Sequence, residues 1–462
     1  MEILEVDMDH TRKLARFCAG VSINSLPPEV IHKAKLCMLD YVANIYGSLE
    51  LEAVEKVVSY IKSLGTGGVA TALACDFTTD LHKAAFINGT TAEAIEAQDG
   101  LRFGGNHPGA AVIPAALAVA EDLKVGGKEI IEAIVAGYEA ANRPAAAMHP
   151  WHTLSGFLPT GTCGAFGAAA AAARLRGFDE QCTASALGNA GYLLPLSMAE
   201  HLMGGFTIKI VQGGQAAASG LMAAGLAGAG VTGPPYVLEG SQLNGGFTKI
   251  TTAAEPKNER ISEGLGEQFS ISDVYFKPFT ACRHTHGSAQ AILELSKEQG
   301  ILPGDVDSLH VFTYGIAELA VGKGIDEKGT FVNAQFSIPY VVAACLLDGE
   351  LGPKQFTQDR LTDPDLLALS RKVSVSTDEE LNSLYPEKTA SRVEITLNDG
   401  TKLAKQIDVP KGDPRDPMDA EALSEKVKNF AGNRSKQRLE QVTGLILEME
   451  NLRDIRILTE CI

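Results

Sequence analysis

The stretch SRVEITLNDGTKLAKQI, residues 391–407, decides the fold. Val393, Ile395 and Leu397 alternate with Arg392, Glu394 and Thr396, the period-two pattern of a strand with one face on a core. Asn398-Asp399-Gly400 then separates two such runs, a combination that supplies the left-handed backbone a tight hairpin needs. DSLHVFTYG (307–315) and KVSVSTD (372–378) read the same way, with helices expected from about Gly287 to Glu298 and through SIPYVVAACLL (337–347). This α+β character begins near residue 269 and ends near 408. On either side the apolar period is helical. In LPPEVIHKAKLCMLDYVANIYG (26–47) Ile31, Ala34, Met38, Tyr41, Val42 and Ile45 recur at three and four residues, between a Pro27-Pro28 start and a Gly47 stop. Residues 107–123, 127–143 and 163–177 form similar units, the last so rich in Ala and Gly that it belongs at the centre of a bundle. After PKGDPRDP (410–417) the chain is helical again. The expected fold is therefore mainly α: a large all-helical domain from residues 1–268, rejoined by the C-terminal helices of 409–462, with a smaller α+β domain, 269–408, inserted as a lid.

Composition narrows the function. At 462 residues the chain is long enough for two or three domains, and a formal charge of −17 disfavours nucleic acid and anionic membrane as partners. Cys18, Cys37, Cys75, Cys163, Cys182, Cys282, Cys345 and Cys461 form no CxxC pair and read as reduced thiols. The N-terminal MEILEVDMDHTRKLARF lacks the apolar core of a leader, so a cytoplasmic location is expected. No stretch reads as a membrane span. Two motifs are set aside. GAGVTG (228–233) matches a dinucleotide-binding pattern, but an alanine-rich helix precedes it and Pro234-Pro235 follow, so it reads as a helix-ending turn. The histidines of HPWH (149–152) and CRHTH (282–286) lack the spacing of a metal site, and no metal is expected.

The chemistry concentrates in EAQDGLRFGGNHPG, residues 96–109. Pro108 suits the first turn of a helix, which puts His107 at or beside its N-cap, where the positive end of the dipole disfavours a protonated imidazole. Glu96 falls near the end of the preceding helix, and Asp99 opens a glycine-rich loop able to bring carboxylate and imidazole into one cleft. Simple capping is the alternative for His107. Lys209 in GGFTIKIVQGG and Lys277 in VYFKPFTACRHTH are solitary charges among apolar neighbours. Each either snorkels or binds an anion; together, in an acidic protein, they suggest a carboxylate substrate at a domain boundary.

At these residues the chain resembles the MmgE/PrpD family, which includes 2-methylcitrate dehydratases, cis-aconitate decarboxylases and iminodisuccinate epimerase. The resemblance runs through NGTTAEAIEAQDGLRFGGNHPGAAVIPAALA, GFLPTGTCGAFGAAAAAARLRGFD, FKPFTACRHTHGSAQAI and NAQFSIPYVVAACLLDG, in order and spacing. It implies a helical domain with an inserted α+β domain, a homodimer, no cofactor, and an active site between the domains. Family members carry a run like HALDFDDT before the His-Pro pair. Here Glu96 takes the first acidic position, Gln98 replaces the second, Asp99 keeps the third and Gly100 replaces the threonine. His107, Lys209 and Lys277 match the family's site residues, and Leu158 stands where a histidine is common. The resemblance implies an acid–base enzyme acting beside a carboxylate of a small di- or tricarboxylic acid. Asp99 or His107 takes the proton, Lys209 and Lys277 stabilise the charge, and Glu96, Arg102, Cys282 and His284 contact the substrate. A hydro-lyase of the 2-methylcitrate dehydratase kind is the first expectation, with an epimerase, a decarboxylase or a non-catalytic binding protein as alternatives.

Overall fold

The computed structural model describes residues 9–462; residues 1–8, part of the N-terminal segment read above for a leader, lie outside the described residues. At the centre is the Ala/Gly-rich helix Pro159–Leu175, whose every residue from Pro159 to Ala173 is buried. The helices Gly109–Leu123, Gly127–Met148 and Gln212–Gly228 pack around it. Small residues set these distances. A β-carbon on Gly89, in the helix Leu81–Ala94, would lie 2.7 Å from Gly214 Cα, so the two backbones approach as closely as glycine allows.

The four expected strands form one sheet. Its strands are β5 (Val306–Thr313), β6 (Val373–Thr377), β7 (Ser391–Leu397) and β8 (Lys402–Ile407), in the order β6-β5-β7-β8. β5 runs parallel to β6, and the remaining pairs are antiparallel. Val393 and Ile395 are buried while β8 has no buried residue, as befits an edge strand. The helices His286–Gln299 and Ile338–Asp348 pack against this sheet and each other. Asn398-Asp399-Gly400 makes the turn, with Gly400 at φ +86°.

The C-terminal helices Ala420–Phe430 and Lys436–Leu447 return to the helix Pro28–Ser48. The buried Lys426 Nζ lies 2.7 Å from Asp40 and donates to the Ala97 carbonyl at 2.6 Å. In one respect the N-terminal part differs from expectation, because it is not wholly helical. A hairpin of β1 (Ala70–Ala72) and β2 (Phe77–Thr79) precedes Leu81, and β3 (Gly100–Leu101) pairs antiparallel with β4 (Val274–Tyr275). These strands have two or three residues, too few for an alternation to register. The β3–β4 ladder lays the loop 96–107 against the segment that carries Lys277. GAGVTG lies where the helix Gln212–Gly228 ends, with no strand before it.

Candidate active site

Glu96 is the hub. The helix Leu81–Ala94 ends in Ile95, and Glu96 takes the left-handed conformation (φ +55°) that usually falls to glycine just past a helix end. That turn aims its carboxylate at two lysines. Lys277 Nζ donates to Oε1 at 2.8 Å and to the Glu96 carbonyl at 3.1 Å, and Lys209 Nζ donates to Oε2. Lys209, on the 3-10 turn Thr207–Val211, also donates to Glu93 Oε1 at 2.8 Å; Gln212 Nε2 reaches the same oxygen at 2.7 Å. All four charged residues are buried, Glu93 and Lys277 completely.

Burial pushes Glu96 toward its neutral form, but the ammoniums of Lys209 and Lys277 outweigh it and hold the carboxyl well below the usual range. Glu93 is raised, because desolvation there exceeds the pull of Lys209 and the Glu96 charge adds to it. Its Oε2 has no hydrogen-bond partner. Desolvation of Lys209 is likewise overcome by Glu93 and Glu96, and its ammonium is held above the usual value. An ammonium has three donors, and each lysine spends two within the cluster, so each keeps one N–H for an incoming oxygen.

His107 stands over this cluster, Nε2 3.9 Å from Glu96 Oε1. It lies one residue before the N-cap, Pro108, of the helix Gly109–Leu123, and its ring caps nothing. Nδ1 is 2.6 Å from the Asp99 carbonyl. A carbonyl only accepts, so Nδ1 carries the proton and Nε2 presents its lone pair. Burial, then the charge of Lys277, lowers the imidazole to about 3 against the pull of Glu96, leaving it neutral at pH 7.

Asp99 is placed differently from His107. Its carboxyl accepts from Tyr138 Oη at 2.6 Å and from the Gly109 amide at 3.1 Å, and its contact with His107 is made by the main chain. Burial and the nearby Asp40 raise it to about 7, against those two hydrogen bonds. Asp99 thus pins both ends of the loop. Arg102 is also engaged elsewhere: Nη1 donates to the carbonyls of Pro386 and Glu387, and Nε is 3.8 Å from Asp413.

Cys282 and His284 follow Ala281, which touches the cluster through its main chain. Ala281, at φ +110°, donates its amide to the Glu96 carbonyl at 3.2 Å. Burial raises the Cys282 thiol to about 11, and it stays protonated. His284 Nδ1 is 2.5 Å from the buried Tyr314 Oη. Burial and Lys277 lower it to about 4. Leu158 N-caps the helix Pro159–Leu175 and contributes no polar side chain. Glu93 and Gln212 were missed in the sequence. Glu93 left a signal, an acid three residues before Glu96 inside an alanine-rich helix, whereas Gln212 left none. Among the described residues, no group of three His, Cys, Asp or Glu is arranged to hold a metal ion, and no helix is long and apolar enough to cross a membrane.

The MmgE/PrpD N-terminal domain model matches residues 12–259, and the C-terminal domain model matches 279–450. The chain belongs to the MmgE/PrpD family. It is 28% identical to a cis-aconitate decarboxylase of Aspergillus terreus, over 97% of this chain and 95% of that protein. It is 26% identical to the cis-aconitate decarboxylase of Mus musculus, over 97% and 92%. A mitochondrial 2-methylcitrate dehydratase of Yarrowia lipolytica is 31% identical over 153 residues, 31% of this chain and 28% of that protein. The relatives are lyases; Glu96, His107 and Lys209 lie within the N-terminal match, and Lys277 lies between the two matches.

Proposed function

We propose that this protein is a lyase that works beside a carboxylate of a small di- or tricarboxylic acid, with His107 as its proton-transfer group. The observation that carries this reading is the His107–Glu96–Lys277–Lys209 constellation: a neutral imidazole of fixed tautomer above two buried ammoniums. Breaking a bond next to a carboxylate leaves enolate-like charge on its oxygens. The one uncommitted N–H of each lysine meets that charge in a low-dielectric site, an oxyanion-hole role. Where the bond broken is C–H, His107 Nε2 removes the proton; where carbon dioxide leaves, Nε2 first takes a proton from water or the entering acid and delivers it to the carbon left behind. Asp99 belongs to the scaffold in this scheme, because its carboxyl is turned to Tyr138.

Among the possible outcomes we favour decarboxylation of a cis-aconitate-type acid, because the decarboxylase relatives extend along nearly the whole chain. A hydro-lyase reaction is the second reading, supported by the partial dehydratase match. We further propose a cytoplasmic homodimer that needs no cofactor. Incubation in deuterated water with citrate-, aconitate- and succinate-type acids, followed by proton NMR, tests the core. Deuterium next to a carboxylate is expected in substrate or product, and the product identifies the bond broken. Undiminished activity in both Lys209→Ala and His107→Gln would refute the assignment.

A further inference from the structure

Gly100 and Tyr275 face each other across the β3–β4 ladder, and their fit is unusually tight. A β-carbon on Gly100 would lie 2.5 Å from Tyr275 Oη and 2.9 Å from His107 Nδ1. The phenol therefore occupies the space where a side chain at position 100 would begin, on the edge of the imidazole. The Arg283 guanidinium lies 4.9 Å over the tyrosine ring and is itself held by the carbonyls of Pro410 and Lys411, each at 2.7 Å. Tyr275 is 7% exposed, and its hydroxyl, which is not fully enclosed, has no hydrogen-bond partner among the described residues. A phenol held this way is free to meet an acceptor that enters the site. Here a rigid one is brought to the site by the absence of a side chain at Gly100 and is left unpaired.

We propose that Tyr275 is a substrate-binding residue of this site, its O–H donating a hydrogen bond to a carboxylate oxygen of the bound acid on the His107 side. The inference rests on the reading of the site as one for di- and tricarboxylic acids. Glu96 and Asp99 lie within electrostatic reach, and burial, with their negative charge, holds the phenol above its ordinary pKa, so it acts as a donor and never as a base.

The test measures calorimetric binding of tricarballylate, an unreactive tricarboxylate, together with turnover of the acid panel and the thermal midpoint. Tyr275→Phe is expected to weaken binding roughly tenfold or more, the size of a lost hydrogen bond to a charged group. Its midpoint should not move, since no protein partner is lost. Gly100→Ala should weaken binding similarly by displacing the phenol. Wild-type affinity and turnover in Tyr275→Phe would overturn the proposal while leaving the carboxylate reading intact. So would a midpoint lowered by several degrees, which would show a structural role. If the wild-type protein neither binds tricarballylate nor turns over any acid of the panel, the site reading fails and the proposal with it.

Discussion

Replacing Glu96 with Gln removes one charge, keeps the shape, and tests the electrostatic logic of the site directly. Two ammoniums depend on that carboxylate, but unequally. Lys209 keeps the carboxylate of Glu93 at 2.8 Å, whereas Lys277, fully buried, keeps only neutral oxygens, the main-chain carbonyl of residue 96 at 3.1 Å and the new side-chain amide. Removing one partner of a buried pair typically costs about 3–5 kcal/mol, because the other charge is left uncompensated. One lysine is orphaned and one is not, so about 3 kcal/mol is expected, read as the change in unfolding free energy of the first urea transition at pH 7. The pH dependence has a fixed sign. The Glu96 carboxyl is held far below its unfolded value, so its contribution is complete above about pH 5, begins to be lost as pH falls through the ordinary carboxylate range, and goes on being lost down to the depressed folded value. The gap between wild type and Glu96→Gln should therefore narrow from pH 5 toward pH 3. A carboxylate ligand should also stabilise the variant more than the wild type, by supplying Lys277 with a partner. A loss below about 1 kcal/mol at pH 7, or a gap that widens on acidification, would refute the reasoning.

Four further outcomes follow from the geometry. His107→Gln should lower kcat by roughly 10²–10⁴-fold, the usual contribution of a general base, with little change in stability. Because the imidazole is depressed to about 3, wild-type kcat/KM should show no histidine limb near pH 6.5 and should fall only below pH 5. Asp99→Asn should retain activity within about tenfold, since an amide can still meet Tyr138 and Gly109, whereas a catalytic base there would lose at least a hundredfold. Glu93, raised by burial and with Oε2 unpaired, is the group placed to take a proton when a substrate carboxylate enters. Calorimetry in buffers of different ionisation enthalpy should show net proton uptake on binding of tricarballylate, abolished in Glu93→Gln.

What the sequence made legible follows the range of the interactions. The strands of the sheet, its hairpin and the helical return after residue 410 are written in short periods, and each appears where its pattern places it. Glu96, His107, Lys209 and Lys277 were singled out as charges in apolar company, and the fold gathers them within hydrogen-bonding or near-contact distance. Direction was not legible. Asp99 and His107 are eight residues apart, and nothing local shows that the aspartate would use its carbonyl for the imidazole and its carboxyl for Tyr138. Arg102 was expected to contact the substrate; nothing local showed that its guanidinium would also meet carbonyls 284 and 285 residues away and lie 3.8 Å from Asp413. Lys426, which supports the same loop through the Ala97 carbonyl, was equally invisible, since Asp40 and Ala97 are its neighbours only in the folded chain.

Several features that break local rules meet at this place. Glu96 and Ala281 both hold positive φ, a conformation that costs a side-chain-bearing residue of order 1–3 kcal/mol, and the two are joined by the Ala281 amide and the Glu96 carbonyl. Glu93, Lys209 and Lys277 join Glu96 to make four buried charges, and one oxygen of Glu93 is unpaired. Well-packed apolar residues in place of buried ion pairs are often neutral or stabilising, so folding alone gives little reason for this arrangement. Function gives one. The strained turn at Glu96 aims one carboxylate at two lysines, which fixes both side chains before a substrate arrives. Each keeps a single N–H in reserve beneath an imidazole whose tautomer is already set. The stability given up here is the cost of fixed charge, which needs no reorganisation when a second carboxylate enters and negative charge develops on it.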